Sequence, residues 1–290
     1  MKRSQAKGMR LRRGIGFMVA GCGLLVANDA LIKFASESMP LSQLMFVRGC
    51  FGTAFMLLVA RSLGVTIRLA SVRNGRVFTR ATLDVMATVI YIIGLSFLPL
   101  ANVTAISMTA PLMVTLLAIL VFREQVKAAQ WAAIGAGFLG VLLVVQPIGK
   151  GFNAWSLLIL AATLLIALRD VVTRSLSREH SSLLLTLLAT VLVTLGSGLW
   201  GLTEHWPQVD SRQYAVLAIA SVFLSCGYVM VTIAMREGDM AIIAPFRYSS
   251  LIVSAVVTYL VWDQLPNAIA WCGIALTVVA GIYLIRTRTT

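Results

Sequence analysis

Residues 14–35 read Gly-Ile-Gly-Phe-Met-Val-Ala-Gly-Cys-Gly-Leu-Leu-Val-Ala-Asn-Asp-Ala-Leu-Ile-Lys-Phe-Ala. As a helix rising ~1.5 Å per residue, this stretch is roughly 33 Å long, enough to cross a hydrocarbon core of ~30 Å. Only Asn28, Asp29 and Lys33 interrupt its apolar character. Lys2, Arg3, Lys7, Arg10, Arg12 and Arg13 precede it, and Val19-Ala20-Gly21-Cys22 imitates a lipoprotein cleavage site. A secretory signal would begin the same way. Here the apolar run continues past Cys22 to Ile32 and further runs follow, so it reads as an uncleaved first span.

The rest of the chain repeats the theme. Of 290 residues, 59% are apolar and 12% charged, with a mean hydropathy of +0.91. Soluble domains are ~45–50% apolar and ~25% charged. A soluble enzyme, a disordered chain and a disulfide scaffold are therefore excluded, and the long apolar runs do not suit a β-barrel. The expected fold is an all-α polytopic membrane protein of ten transmembrane helices: 14–35, 41–63, 79–98, 102–122, 127–146, 155–176, 182–202, 213–235, 239–261 and 266–286. Cys22, Cys50, Cys226 and Cys272 all lie in apolar runs without metal-ligand spacing and read as inert core residues.

Orientation follows from the basic residues. With the N-terminus inside, eighteen Lys and Arg fall on the inner side and only Lys150 and Arg212 on the outer. That asymmetry puts both termini in the cytoplasm. The net charge of +13 is then explained by cytoplasmic loops rather than by nucleic acid.

Two halves echo each other. Asp29 precedes Lys33 by four residues; Asp170 precedes Arg174 by four, 141 positions later. Trp131 and Trp271 are 140 apart, Tyr91 and Tyr228 are 137 apart, and Glu124-Gln125 matches Asp263-Gln264. The organisation expected is a basic cytoplasmic segment 1–13 and two five-helix repeats, 14–146 and 153–286. Five spans per repeat is an odd number, so the second repeat must be inverted, as in many secondary transporters.

Ionisable residues inside the spans are costly and mark function by default. By rise per residue they fall into two layers. Asp29, Lys33 and Arg48 lie toward the outer side; Asp84, Arg169, Asp170, Arg174 and Arg247 lie toward the inner. Each layer is expected to act as a gate or a substrate-head site. The alternative is that Asp29–Lys33 and Asp170–Arg174 are plain i,i+4 pairs. Between the layers, Tyr91 and Tyr248 offer aromatic surface and Asn28 an amide. Pro111 and Pro245 sit within spans four and nine, where they are expected to kink the helix. Small residues on span five (Ala133, Gly137, Ala136, Gly140) form a packing face expected to meet its own half, with a second copy as the alternative.

Several of these segments resemble the drug/metabolite transporter superfamily in its ten-helix EamA-type branch. They are Asn28-Asp29-x3-Lys33, Phe46-Val47-Arg48, Phe122-Arg123-Glu124, Pro245-Phe246-Arg247-Tyr248 and Trp262-Asp263-Gln264-Leu265-Pro266. The resemblance covers nearly the whole chain. It implies a basket of spans one to four and six to nine with spans five and ten at the edge, in a bacterial cytoplasmic (inner) membrane. Asp263 stands where the family more usually has Glu.

No histidine lies in a span, and there is no nucleophile motif, so an enzyme is not expected. No phosphate-binding loop of the Gly-x4-Gly-Lys type is present, so energy is expected from a gradient. The function expected is a secondary active transporter, a permease or exporter, for a small polar or zwitterionic metabolite such as an amino acid derivative. An uptake permease for riboflavin or S-adenosylmethionine and a facilitative channel are the alternatives. The partners expected are a small-molecule solute and membrane lipids, with no nucleic acid, no cofactor and no metal. Proton coupling through Asp29 or Asp170 stays open, as does the choice between monomer and weak homodimer.

Overall fold

The computed structural model describes residues 2–62, 75–122, 128–146, 153–174, 182–237 and 243–288, which are helical apart from short connections. The helices are α1 (Lys2–Ser36), α2 (Leu41–Ser62), α3 (Gly75–Phe97), α4 (Leu100–Ser107), α5 (Ala110–Phe122), α6 (Ala128–Val145), α7 (Trp155–Arg174), α8 (Ser182–Gly201) and α9 (Ser211–Glu237). A 3-10 turn, Ala244–Tyr248, then leads into α10 (Ser249–Trp262), and α11 (Ala268–Arg288) closes the chain. Six segments are long and apolar enough to cross a membrane: 12–36, 41–59, 75–97, 100–117, 155–173 and 211–231. Shorter apolar helices cover 131–145, 187–201, 246–262 and 268–283. Large apolar side chains cover the outside, among them Leu58, Leu199, Leu260 and Val279, each at least 65% exposed. A soluble monomer rarely shows such a surface; acyl chains solvate it well.

Proline explains the departures from continuous spans. The stretch 102–122 was expected as one helix, but α4 ends at Ser107 and α5 starts at Ala110. Pro111 supplies no N–H and its ring clashes with the carbonyl four residues back, that of Ser107. The broken turn is closed locally, with Met108 N–H on Thr104 O at 3.0 Å and Thr109 Oγ1 donating to Ile106 O at 2.6 Å. Pro245 likewise sits in the first turn of the 3-10 segment before α10. The expected first residues of span nine, from 239, and the Glu124-Gln125 pair lie outside the described residues. Side-chain caps fix two helix starts. Asn153 Oδ1 accepts from Trp155 N–H at 3.0 Å, and Asn267 Oδ1 accepts from Ala270 N–H at 2.8 Å, each satisfying an orphan donor.

The helices pair α1 with α9, α2 with α8, α3 with α7 and α6 with α11, each pair joining the two halves of the sequence. Small residues permit the close approach. A Cβ on Gly273 would meet the Gly140 carbonyl oxygen at 2.5 Å, and one on Gly21 would meet the Gly227 carbonyl oxygen at 3.0 Å. This corrects the packing expected of span five. Gly137 does face Leu112 of its own half, but Gly140 meets Gly273 of the other. Gln146 and Asn267 tie the same two helices by reciprocal side-chain hydrogen bonds of 2.8 and 3.1 Å. The cysteines are also corrected in part. All are free and Cys22 is buried, but Cys50 and Cys272 are exposed on the outside of the bundle. A thiol is apolar enough for that position.

Candidate functional site

Two polar clusters lie on the inward faces of the helices. In the first, Tyr91 of α3 donates its hydroxyl to Asp29 Oδ2 at 2.8 Å. Asn28 Nδ2 donates to Asp29 Oδ1, also at 2.8 Å. Arg48 of α2 reaches Asn28 Oδ1 through one long contact of 3.5 Å, and its Nε is buried without a partner. Asp29 is within electrostatic range of Arg48, yet among the described residues they form no contact ion pair. Asn28, 2% exposed, stands between them. Tyr91 thus belongs to the outer layer instead of lying between the two.

The second cluster is seven residues earlier on α3, about 10 Å away by helical rise. Asp84 accepts from Arg169 of α7 at 2.6 Å and forms an ion pair with Arg80 at 3.6 Å. Arg169 also holds Asp170 at 2.9 Å, and Arg80 Nε donates to Thr173 Oγ1 at 3.3 Å. Sequence reasoning placed Asp84 in the inner layer and counted Arg80 only among the eighteen basic residues of the inner side. The signal was there: they are an i,i+4 pair on one helix. Side-chain exposures of 13% for Asp84 and 21% for Arg169 against 45% for Asp170 make Asp84 the hub.

Lys33 departs from both readings offered for it. Among the described residues it forms no ion pair with Asp29. Its Nζ donates to Leu98 O at 2.7 Å and Leu95 O at 3.2 Å, with Ser96 O at 3.5 Å. It also lies 5.6 Å from the Trp262 ring centroid. Helix α3 ends in carbonyls without helical partners. The residue four beyond Leu95 is Pro99, which has no N–H to offer. Lys33 caps α3.

Arg247, expected in the inner layer, lies exposed in the 3-10 turn and forms no ion pair among the described residues. Tyr248, expected to face the space between the layers, is buried against Gly281 of α11. Arg174 ends α7, and its side chain lies outside the described residues. Tyr228 of α9 was seen only as an echo of Tyr91. Its side chain is 52% exposed, although Asp29, Arg48, Asp84 and Arg169 all lie in its field. Those four come from α1, α2, α3 and α7, so Tyr228 lies within electrostatic range of both clusters.

Beyond the first cluster, polar contacts lace the two halves together at one end of the bundle. Ser42 donates to Glu204, and Trp206 Nε1 donates to Ser42 at 3.0 Å. Gln43 Nε2 donates to Pro207 O at 3.0 Å, and Trp262 Nε1 donates to Glu37 Oε1 at 2.7 Å.

A polar interior with carboxylate, guanidinium and phenol groups, wrapped in an apolar shell, suits passage of a polar solute. The model of the EamA-like transporter family matches the chain twice, over residues 12–146 and 153–287. The chain belongs to that family. This EamA-like transporter is 25% identical to the pseudopaline exporter of Pseudomonas aeruginosa (strain UCBPP-PA14), over 96% of this chain and 98% of the other. It is 27% identical to a riboflavin transporter of Rhizobium johnstonii, covering 73% and 70% of the two chains. With an S-adenosylmethionine uptake transporter of Rickettsia bellii it shares 22% identity, covering 95% and 94%. A crystal structure sharing 16% identity superposes at a TM-score of 0.64 over 98% of each chain, which establishes a common fold. The EamA-like transporter is a multi-pass membrane protein that moves a small metabolite and is not an enzyme.

Proposed function

We propose that the chain is a secondary active transporter that carries a small polar or zwitterionic metabolite by alternating access. It would cross the bacterial inner membrane with ten helices, in two inverted repeats, 14–146 and 153–286, with segment 1–13 and both termini cytoplasmic. The helix pairing supports the inversion. Exchanging the first half for the second turns the α1–α9 pair into the α7–α3 pair and leaves α2–α8 and α6–α11 as themselves. That is the contact pattern of two repeats related by a pseudo-two-fold axis.

The observation that carries alternating access is that the halves are joined by separate sets of contacts at two levels. Asp84–Arg169 links α3 to α7 on one side of the Asp29–Arg48 cluster. Hydrogen bonds from Ser42 and Gln43, and from Trp262 to Glu37, link the halves on the other. Opening either level would expose the interior between them to one side of the membrane only. Asp29, Asp170 and Arg169 contribute ionisable groups to the path, and a proton on either aspartate is the simplest coupling ion. Arg247 would line the cytoplasmic mouth, while Tyr248 and Lys33 hold helices in place.

Two measurements test this. In vesicles, purified protein is offered amino acids, riboflavin and S-adenosylmethionine. Saturable uptake stimulated by solute inside the vesicle is the expected result, lost in Asp29→Asn and in Asp170→Asn at normal expression. Unsaturable flux would make the protein a channel, and normal transport in both variants would reduce the clusters to structural pairs. Alkaline phosphatase fused to the C-terminus should be inactive; activity would refute the orientation.

A further inference from the structure

We propose that Arg48 is the anchor for the carboxylate of a zwitterionic solute and that Asp29 faces the ammonium of the same molecule. This rests on reading the Asp29–Arg48 cluster as the site of the transported solute. A guanidinium carries five N–H donors in a planar fork and accepts nothing. In this protein the fork is almost unused. One nitrogen makes a 3.5 Å contact to Asn28 Oδ1, and Nε has no partner. Every other interior arginine described on α3 and α7 is engaged: Arg80 with Asp84 and Thr173, Arg169 with Asp84 and Asp170. A guanidinium with a buried, unpartnered Nε and no contact counter-ion is unfavourable, and a carboxylate bound through two parallel hydrogen bonds relieves it best.

The neighbouring anion selects what else the solute carries. Asp29 is held by two neutral donors, Tyr91 and Asn28, and by no cation among the described residues. The Asn28 amide separates it from Arg48, bonded to one at each end. Cation and anion are thus kept apart by about one amide group, which matches the separation of charges in an α-amino acid. A bare anion would meet repulsion from Asp29 and a bare cation repulsion from Arg48; a zwitterion meets neither. Tyr91 and Tyr228, both within electrostatic range of Arg48, would give the solute's body an aromatic wall.

The test is thermal stabilisation of the purified full-length protein by L-amino acids at millimolar concentration. Each is compared with its carboxamide, which lacks the anion, and its N-acetyl form, which lacks the cation. We expect at least one amino acid to bind, and both derivatives to bind at least tenfold more weakly. Arg48→Gln should remove the preference over the carboxamide, and Asp29→Asn the preference over the N-acetyl form. Arg48→Lys should retain part of it. A carboxamide or N-acetyl form that binds as well as its parent would overturn the assignment, as would a panel with no binder. The ligand comparison on the unaltered protein decides even if a variant does not fold. Saturable counterflow of riboflavin without zwitterion binding would refute this assignment and leave the transporter reading standing. Amino acid binding without counterflow would do the reverse.

Discussion

Replacing Lys33 with methionine separates a gate from a cap. Lys33 is only 7% exposed, and its ammonium serves Leu98 O at 2.7 Å and Leu95 O at 3.2 Å. Hydrogen bonds to a charged group contribute ~1.5–3 kcal/mol each. The Trp262 ring at 5.6 Å adds about 0.5–1 kcal/mol. Against this, methionine removes an ammonium whose burial costs several kcal/mol. It also fills most of the same space. The two sides offset, and the net loss should be about 2 kcal/mol, set by the two carbonyls that lose the ammonium. Pro99 cannot donate to Leu95 O. For a chain of this size the loss corresponds to a fall in Tm of roughly 4–8 °C, measurable by scanning fluorimetry in detergent. Transport per folded molecule should survive, because Lys33 touches backbone and not the Asp29–Arg48 cluster. A variant with unchanged Tm and abolished transport would refute the capping argument and return Lys33 to the gate.

Two further outcomes follow from the geometry. Asp84→Asn and Arg169→Gln should be strongly non-additive in unfolding experiments, with a coupling of ~1–3 kcal/mol, because Arg169 and Asp84 meet at 2.6 Å; additive losses would show that Asp170 and solvent already satisfy Arg169. Gly273→Ala should loosen the α6–α11 pair and cost ~1–3 kcal/mol, since its Cβ would meet the Gly140 carbonyl at 2.5 Å, whereas Gly135→Ala, with nothing near its Cβ, should be neutral or slightly stabilising; equal melting shifts in the two variants would contradict the packing.

What the sequence by itself determined was the class of protein and the positions of its helices. Apolar runs of membrane-spanning length leave the backbone no other way to satisfy its hydrogen bonds in lipid. The breaks at Pro111 and Pro245 were legible for the same kind of reason, since a missing N–H is a local fact. The layering of Asp29 and Arg48 against Asp84, Arg169 and Asp170 was legible too, because depth follows from rise per residue. Partners were not. Spacing made Lys33 look like a mate for Asp29, but a long flexible side chain bonds whatever lies within reach, and packing put the end of α3 there. Tyr248 and Tyr228 look alike in sequence, yet one is pressed against Gly281 and the other is half exposed within range of both clusters, because the rotation of each helix about its axis is set by its neighbours. Span five carried a small-residue face expected to meet its own half; spacing alone could not say what would fill it. Gly273 does, because only the folded bundle brings the last helix of one half against the last helix of the other.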